Sequence, residues 1–390
     1  MNLFLHNVLS VLLSASGFVR DAIRDINTYV PADIKFLLVI ICIFTTGSVT
    51  FFVWMLTSRT YQGFREKKAM TLRKKFELLI TAIIFEEDWL KYENVRQRQK
   101  LINHYTKNYL RKKFNRQILI EEIINLYKDL AGKPAENLRQ LFMSLGLESE
   151  SFKKLKSKRW HIRAKGISEL SKMNIKGGYV ELYKLINSSN NVLREEAQLA
   201  LVKLFNFDAL SFLDDSKYPI SEWQQINILA VLTNMSGKEI PDFSHWLTSK
   251  NESVVIFALK LISHFSCLDL TKEVTRTLNH PSPRVRKAVV DTLGDLDAAS
   301  ALSLLKKRFY TYEKDFKLEV LKVSGKIAIE KDYPFLELQL LSDDYDISTA
   351  SATALAAKGD SGKKMLEDIY STYADDKLKG IIKNVIEELN

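Results

Sequence analysis

The sequence predicts an all-α protein with a single N-terminal transmembrane helix, a basic helical neck and an α–α superhelix of stacked helical repeats. Three observations predict it. Residues 36–56 run for 21 positions without a charge, a hydrophobic pattern recurs every 30 to 31 residues from Ile162 onward, and only 14 Gly and 7 Pro interrupt a chain of 390 residues. At 46% hydrophobic and 27% charged, the chain is neither disordered nor a multi-span membrane protein.

In residues 1–35, Leu5, Leu9, Leu12, Val19, Ile23 and Ile26 recur at helical spacing with Arg20, Asp21, Arg24 and Asp25 elsewhere on the wheel. This predicts an interfacial amphipathic helix. A cleaved signal peptide is the alternative, because Ser14-Ala15-Ser16 has the small residues of a cleavage site, but no Lys or Arg precedes the apolar stretch.

Phe36 to Leu56 reads FLLVIICIFTTGSVTFFVWML. At about 1.5 Å per residue such a helix matches a bilayer core roughly 30 Å thick. A buried core helix is the competing reading. Against it, charges stop at Lys35 and resume at Arg59, and Trp54 stands near one end as an interfacial aromatic does. Arg20, Arg24 and Lys35 precede the segment, whereas Arg59, Arg65, Lys67, Lys68, Arg73, Lys74 and Lys75 follow it. The positive-inside rule therefore predicts a single-pass inner-membrane protein with its N-terminus outside and its C-terminal part in the cytoplasm.

The neck, residues 57–134, reads as two or three helices over Thr60–Phe85 and Val95–Leu130, ended by Gly132-Lys133-Pro134. Ile118, Leu119, Ile120, Ile123, Ile124 and Leu126 are apolar on more than one face, so burial is expected there. The formal charge of +10 resides here: residues 59–165 hold 26 Lys and Arg against 12 Asp and Glu, whereas residues 166–390 hold 28 against 32. An anionic lipid surface is the expected counterpart of Arg65, Lys67, Lys68, Arg73, Lys74, Lys75, Arg111, Lys112 and Lys113. Nucleic acid fits less well, since the repeat region is mildly acidic and carries no nucleic-acid motif.

Across residues 135–390, Ile162, Leu193, Gln224, Val254, Val285, Phe316 and Ile347 anchor seven repeats. Small or apolar residues stand four positions beyond each anchor, and Leu or Ile eight beyond in all but one, the exception being Ser324; steps of this size trace one helix face. Each unit is predicted to be a core-facing helix preceded by a second helix, stable only when stacked on its neighbours. Ser324, Ser351 and Lys358 break the pattern late, as a wetter terminal cap would.

The clearest unit is His280-Pro281-Ser282-Pro283-Arg284-Val285-Arg286, followed by Ala288, Leu293 and Gly294. It resembles HEAT repeats, particularly the phycobilisome-lyase-like kind, and Leu193-Arg194-Glu195-Glu196-Ala197 repeats its start. The order of membrane helix, basic neck, segment 126–147 and repeats resembles membrane-anchored HEAT-repeat proteins of Bacteroidetes type. That resemblance implies a protein partner that is itself a membrane protein, with a glycosyltransferase making surface polysaccharide as its class.

Motifs for chemistry are missing from the sequence. His6, His104, His161, His245, His264 and His280 have no metal-ligand spacing, Cys42 and Cys267 have no spaced partner, and neither a P-loop nor a nucleophile elbow occurs. No catalytic, cofactor or metal residue is expected, and the leading expectation is a membrane-tethered interaction scaffold or accessory subunit. A lipid-binding membrane organiser is the alternative, and a lyase or glycosylase on a HEAT-like fold a further one. Candidate partner contacts are Trp160, Trp223 and Trp246, with Trp in a helical repeat more often core, and Arg194 and Arg286 at the repeat starts.

Overall fold

The computed structural model describes residues 31–84, 95–234 and 239–388, and all regular structure among them is helical. Two compact units divide between Ile123 and Ile124. The expected amphipathic helix and cleavage site in residues 1–30 lie outside the described residues.

In the first unit, α1 (Ala32–Ile84) is a single helix of 53 residues, α2 spans Val95–Asn108, and α3 (Lys113–Tyr127) runs across the division. The sequence predicts a membrane helix and a separate neck helix from Thr60; the two are continuous. No Pro lies between Leu56 and Ile84, and Gly63 alone does not break a helix. The Thr57 and Thr60 hydroxyls donate to the carbonyls of Val53 and Leu56, both at 2.9 Å, and so stay within the helical pattern.

Along α1 the burial pattern changes once. Ile43, Phe44, Val49, Phe51, Phe52 and Trp54 are all exposed, on every side of the helix, whereas further on Ala69, Leu72, Phe76, Leu79, Ile80 and Ile83 form one buried stripe. Among the described residues no helix is long and apolar enough to cross a membrane; several side chains of segment 36–56 fall outside those described. In α3 the expected burial is found for Ile118, Leu119, Ile120, Ile123 and Ile124, whereas Leu126 is exposed.

The second unit is a succession of helices: α4 (Lys133–Ser144), α5 (Leu147–Leu155), α6 (Trp160–Lys172), α7 (Tyr179–Tyr183), α8 (Asn191–Phe205), α9 (Glu222–Thr233) and α10 (Glu252–His264), then α11 (Thr271–Arg276), α12 (Pro283–Asp295), α13 (Ala299–Lys307), α14 (Lys314–Ile327), α15 (Tyr333–Leu340), α16 (Tyr345–Ala356), α17 (Asp360–Thr372) and α18 (Asp376–Glu388). Every one of the seven anchors is the third residue of its helix: Ile162 in α6, Leu193 in α8, Gln224 in α9, Val254 in α10, Val285 in α12, Phe316 in α14 and Ile347 in α16. The residues four and eight beyond are buried in all seven. Helix α6 packs on α8, α8 on α9, and the series α10, α12, α14, α16, α18 packs in order. A stacked solenoid results.

Two expectations need correction. The second helix of each unit is a true helix in α5, α13, α15 and α17, but between α8 and α9 it is reduced to 3-10 turns over Asn206–Leu213, and between α9 and α10 to Ser244–Thr248. Local polar bonds favour turns there: Asn206 opens the first at φ 61°, and Asp242 accepts from the Ser244 backbone at 2.7 Å just after Pro241. Two of the three late defects are also not wet, while Lys358 is half-buried and donates to the Lys326 carbonyl at 2.8 Å. Ser324 and Ser351 are fully buried and donate to the carbonyls of Val320 (2.7 Å) and Leu336 (2.5 Å). The array then continues into α18, where Leu378 is again third in its helix and Ile382 is buried four residues on. Both follow the same period, so this eighth unit was legible in the sequence.

Ion pairs join successive repeats on the solvent side: Lys287 to Glu319 (2.5 Å), Lys326 to Asp295 (2.8 Å) and Lys314 to Asp344 (2.8 Å). The Lys314 hydrogen bond holds the Asp344 carboxyl below its usual range. Burial works against Asp295, but bonds from Lys326 and Ser263 outweigh it and lower its pKa too. A depressed folded pKa stabilises above the unfolded value and is lost as pH falls through the folded one. Thermal unfolding followed by circular dichroism should therefore show a falling midpoint below about pH 4, where free carboxylates titrate, and Lys314→Gln should flatten that fall.

Candidate functional site

The structure separates the five candidate partner residues into two groups. Trp246 is 5% exposed, donates from Nε1 to Asp214 at 2.8 Å and stacks on Phe243, so it belongs to the core. Arg194 is buried as well: it donates to the Ser188 carbonyl (2.7 Å) and Asn191 (2.9 Å), with its guanidinium 4.4 Å from the Tyr218 ring centre. Half-buried Arg286 donates to the carbonyls of His280 and Pro281 and faces Phe316 of the next repeat. These three brace the solenoid.

Trp160 and Trp223, by contrast, are 48% and 68% exposed. Val192 on α8, and Ile226 three residues beyond Trp223 on α9, are exposed too, and residue type alone did not single them out. Repeat register carries the missing signal. Val192 and Trp223 each immediately precede an anchor, and the equivalent positions elsewhere hold His161, Ser253, Arg284, Asp315 and Asp346. Units α8 and α9 thus place large apolar groups where the others carry polar ones. Acidic residues border them: Glu195, whose carboxylate accepts from Ser221 at 3.4 Å, together with Glu196 and Glu222.

A groove of about 560 Å³ opens where the N-termini of α12 and α14 meet, with Arg284 and Arg286 on one wall, Glu313 and Asp315 on the other, and Tyr312 and Phe316 between. Aromatic and carboxylate groups converging in a pocket are what a lyase or glycosylase would need. Its most buried carboxylate, Glu319, is however flanked by Lys287 at 2.5 Å and Lys322 at 3.7 Å, the arrangement of a structural ion pair. Burial pushes the Cys267 thiol up, away from thiolate chemistry. Among the described residues no cluster of His, Cys, Asp or Glu is placed to hold a metal ion.

In the first unit, Arg65 lies 5.2 Å and Lys68 5.7 Å from the ring centre of Phe114 at the start of α3. Lys75 faces Tyr109 at 5.1 Å, and Arg73 pairs with Glu122 at 2.7 Å. Lys67, Lys74, Arg111, Lys112 and Lys113 are exposed. The nine candidate membrane contacts are therefore all on this unit, six at different positions along α1 and Arg111, Lys112 and Lys113 at or just before the start of α3.

Residues 240–321 match the family model of HEAT repeats. That stretch contains α10 to α12 and the groove, and includes the HEAT-like unit read from His280 onward. Among solved structures, a crystal structure of a Kap121p mutant is similar with a TM-score of 0.53 at 12% identity, covering 83% of this chain and 39% of that one. The chain thus spans about two fifths of that structure's length. An engineered protein (TM-score 0.34, 13% identity, 81% and 98% covered) and the complex of CpcE and CpcF of phycocyanin lyase from Nostoc sp. (0.22, 14%, 81% and 94%) are more distant in shape. The first likeness shows a shared helical solenoid fold. No curated protein matches.

Proposed function

We propose that the chain is a membrane-tethered scaffold: residues 36–56 cross the inner membrane, and the HEAT-like solenoid holds a protein partner on the cytoplasmic side. One observation carries the scaffold reading. Val192 and Trp223 are large, apolar and exposed on neighbouring repeats, at the position before the anchor that elsewhere in the solenoid is polar, and exposed Ile226 lies three residues beyond Trp223 on the same helix. The tether is supported by the uncharged run 36–56 on α1, with exposed apolar side chains all round its described part, and by the excess of basic residues after it. The partner proposed is itself a membrane protein, with a glycosyltransferase for surface polysaccharide as the class to look for.

The test compares tagged full-length chain, chain lacking residues 1–58, and the Trp223→Glu variant in mild detergent, with bound proteins identified by mass spectrometry. A stoichiometric membrane protein is expected with the full chain. Trp223→Glu, a change at an exposed side chain whose fold circular dichroism should show unchanged, should weaken its binding by roughly thirtyfold, the size of an interface hot spot. Absence of any stoichiometric partner, or equal recovery with Trp223→Glu, would sink the reading.

A further inference from the structure

We propose that the nine basic candidates of the first unit divide in two: a collar of Arg65, Lys67, Lys68, Arg111, Lys112 and Lys113 that rests on anionic lipid headgroups, and a higher group, Arg73, Lys74 and Lys75, that does not reach them. This rests on the membrane-spanning reading of residues 36–56. Because α1 is unbroken from Ala32 to Ile84, every residue after Leu56 has a calculable height above the end of the apolar run. At 1.5 Å per residue Arg65 stands about 14 Å along the helix, and Lys74 about 27 Å. Long side chains on a helix lean toward its N-terminus, here toward the membrane, which lowers the Arg65 and Lys68 head groups further.

Helix α3 brings the second cluster to the same height. Its second residue, Phe114, lies against Arg65 and Lys68, while Glu122, two turns later, pairs with Arg73. Position therefore rises along α1 and α3 together. The two helices run in the same direction, and the residues before Phe114 form the membrane-side end of α3. Arg111, Lys112 and Lys113, all exposed, occupy that turn. Arg116 donates to the carbonyls of Leu110 (2.8 Å) and Arg111 (2.9 Å), which fixes the turn against the helix start.

Headgroups extend roughly 5–8 Å beyond the hydrocarbon, and screening at physiological salt sets in over about 8 Å more. The collar lies within that reach, whereas Lys74 lies more than a screening length outside it. Exposed Tyr61 and Phe64 stand between the apolar run and the collar, where interfacial aromatics belong. Arg73 is in addition already paired with Glu122. Charge on this unit thus acts on lipid according to its height on α1.

The experiment uses the full chain with Cys42→Ser and Cys267→Ser, reconstituted in vesicles of phosphatidylcholine alone or with one quarter phosphatidylglycerol. A small fluorophore is attached at Lys112→Cys, Lys74→Cys or Ser48→Cys, and quenchers are carried on the lipid headgroup or the acyl chain. Residue 112 should be quenched from the headgroup and residue 74 should not. Quenching at 112 should rise about threefold with the anionic lipid and fall again at high salt. Arg111→Gln with Lys113→Gln should abolish that rise. Equal quenching at 74 and 112, no quenching at 112, or a rise that survives the double neutralisation would overturn the collar, provided residue 48 is quenched from the acyl chain. An unquenched residue 48 would instead overturn the membrane-spanning reading, and the collar with it.

Discussion

Replacing Glu169 by Ala is expected to loosen the start of the solenoid by about 3–5 kcal/mol, the loss typical of removing one partner from a buried ion pair. Glu169 on α6 accepts from Lys154 Nζ at 2.7 and 2.5 Å and from the Ser151 hydroxyl at 2.7 Å, and all three residues are buried. Burial depresses the Lys154 pKa against the pull of Glu169, so the ammonium depends on this carboxylate to stay charged. The equivalent positions in the following six units are Ala200, Val231, Leu261, Thr292, Val323 and Ala354, so this unit alone has a carboxylate there. Repeat stability is local, and the loss should appear as hydrogen exchange in α5 and α6 accelerated a hundredfold or more, roughly the population shift that 3 kcal/mol brings, with α16 unchanged. Glu169→Leu combined with Lys154→Met should recover most of the protection. If the double variant exchanges as fast as Glu169→Ala, packing and not charge is what the site supplies.

Gly362→Ala is expected to loosen α17 and α18 from the rest of the solenoid. A Cβ at Gly362 would run into the carbonyl oxygen and carbon of Leu355, at the end of α16, and would lie 3.1 Å from Lys358 Cβ. Backbone cannot swing aside as a flexible side chain can, so α17 must move as a whole. Overpacking of this kind costs about 1–3 kcal/mol, and in a stack of repeats the loss falls on the elements that touch α17. Limited proteolysis should then release residues after α16 at an early time, while the rest of the solenoid resists. Gly380→Ala in α18 is the control: nothing lies within 4 Å of its added methyl, and a slight stabilisation of about 0.5–1 kcal/mol is expected from helix propensity. Early release in both variants would show that the end frays without any clash.

Much of the solenoid was legible because each inner helix must bury one face at a fixed step, and that demand left its mark on Ile162, Leu193 and their successors. The outer elements carry no such mark. Asn206–Leu213 and Ser244–Thr248 are too short to show a period, and their turns depend on single polar bonds such as that of Asp242 to Ser244. The same difference explains the tryptophans. Trp223 stands just before an anchor and is turned off the buried stripe by its register, whereas Trp246 lies in a 3-10 turn where register is undefined, and only its contacts with Asp214 and Phe243 reveal it as core. Lys154 and Glu169 are 15 residues apart on different helices, and no local pattern links them. In the first unit, the absence of a breaker after Leu56 was visible in the sequence, but the rise of α3 alongside α1 depends on contacts between Phe114, Glu122 and residues some fifty positions earlier.

The unbroken α1 also has a mechanical consequence. From Leu56 to Ile84 the helix extends about 42 Å beyond the apolar run, with no joint to absorb rotation. Membrane helices tilt by about 20° on average, and such a tilt would carry the far end sideways by about 14 Å. If residues 36–56 span the bilayer as proposed, a change in its thickness, or a neighbour leaning on that segment, would arrive at Ile84 as an amplified displacement, as at the long arm of a lever.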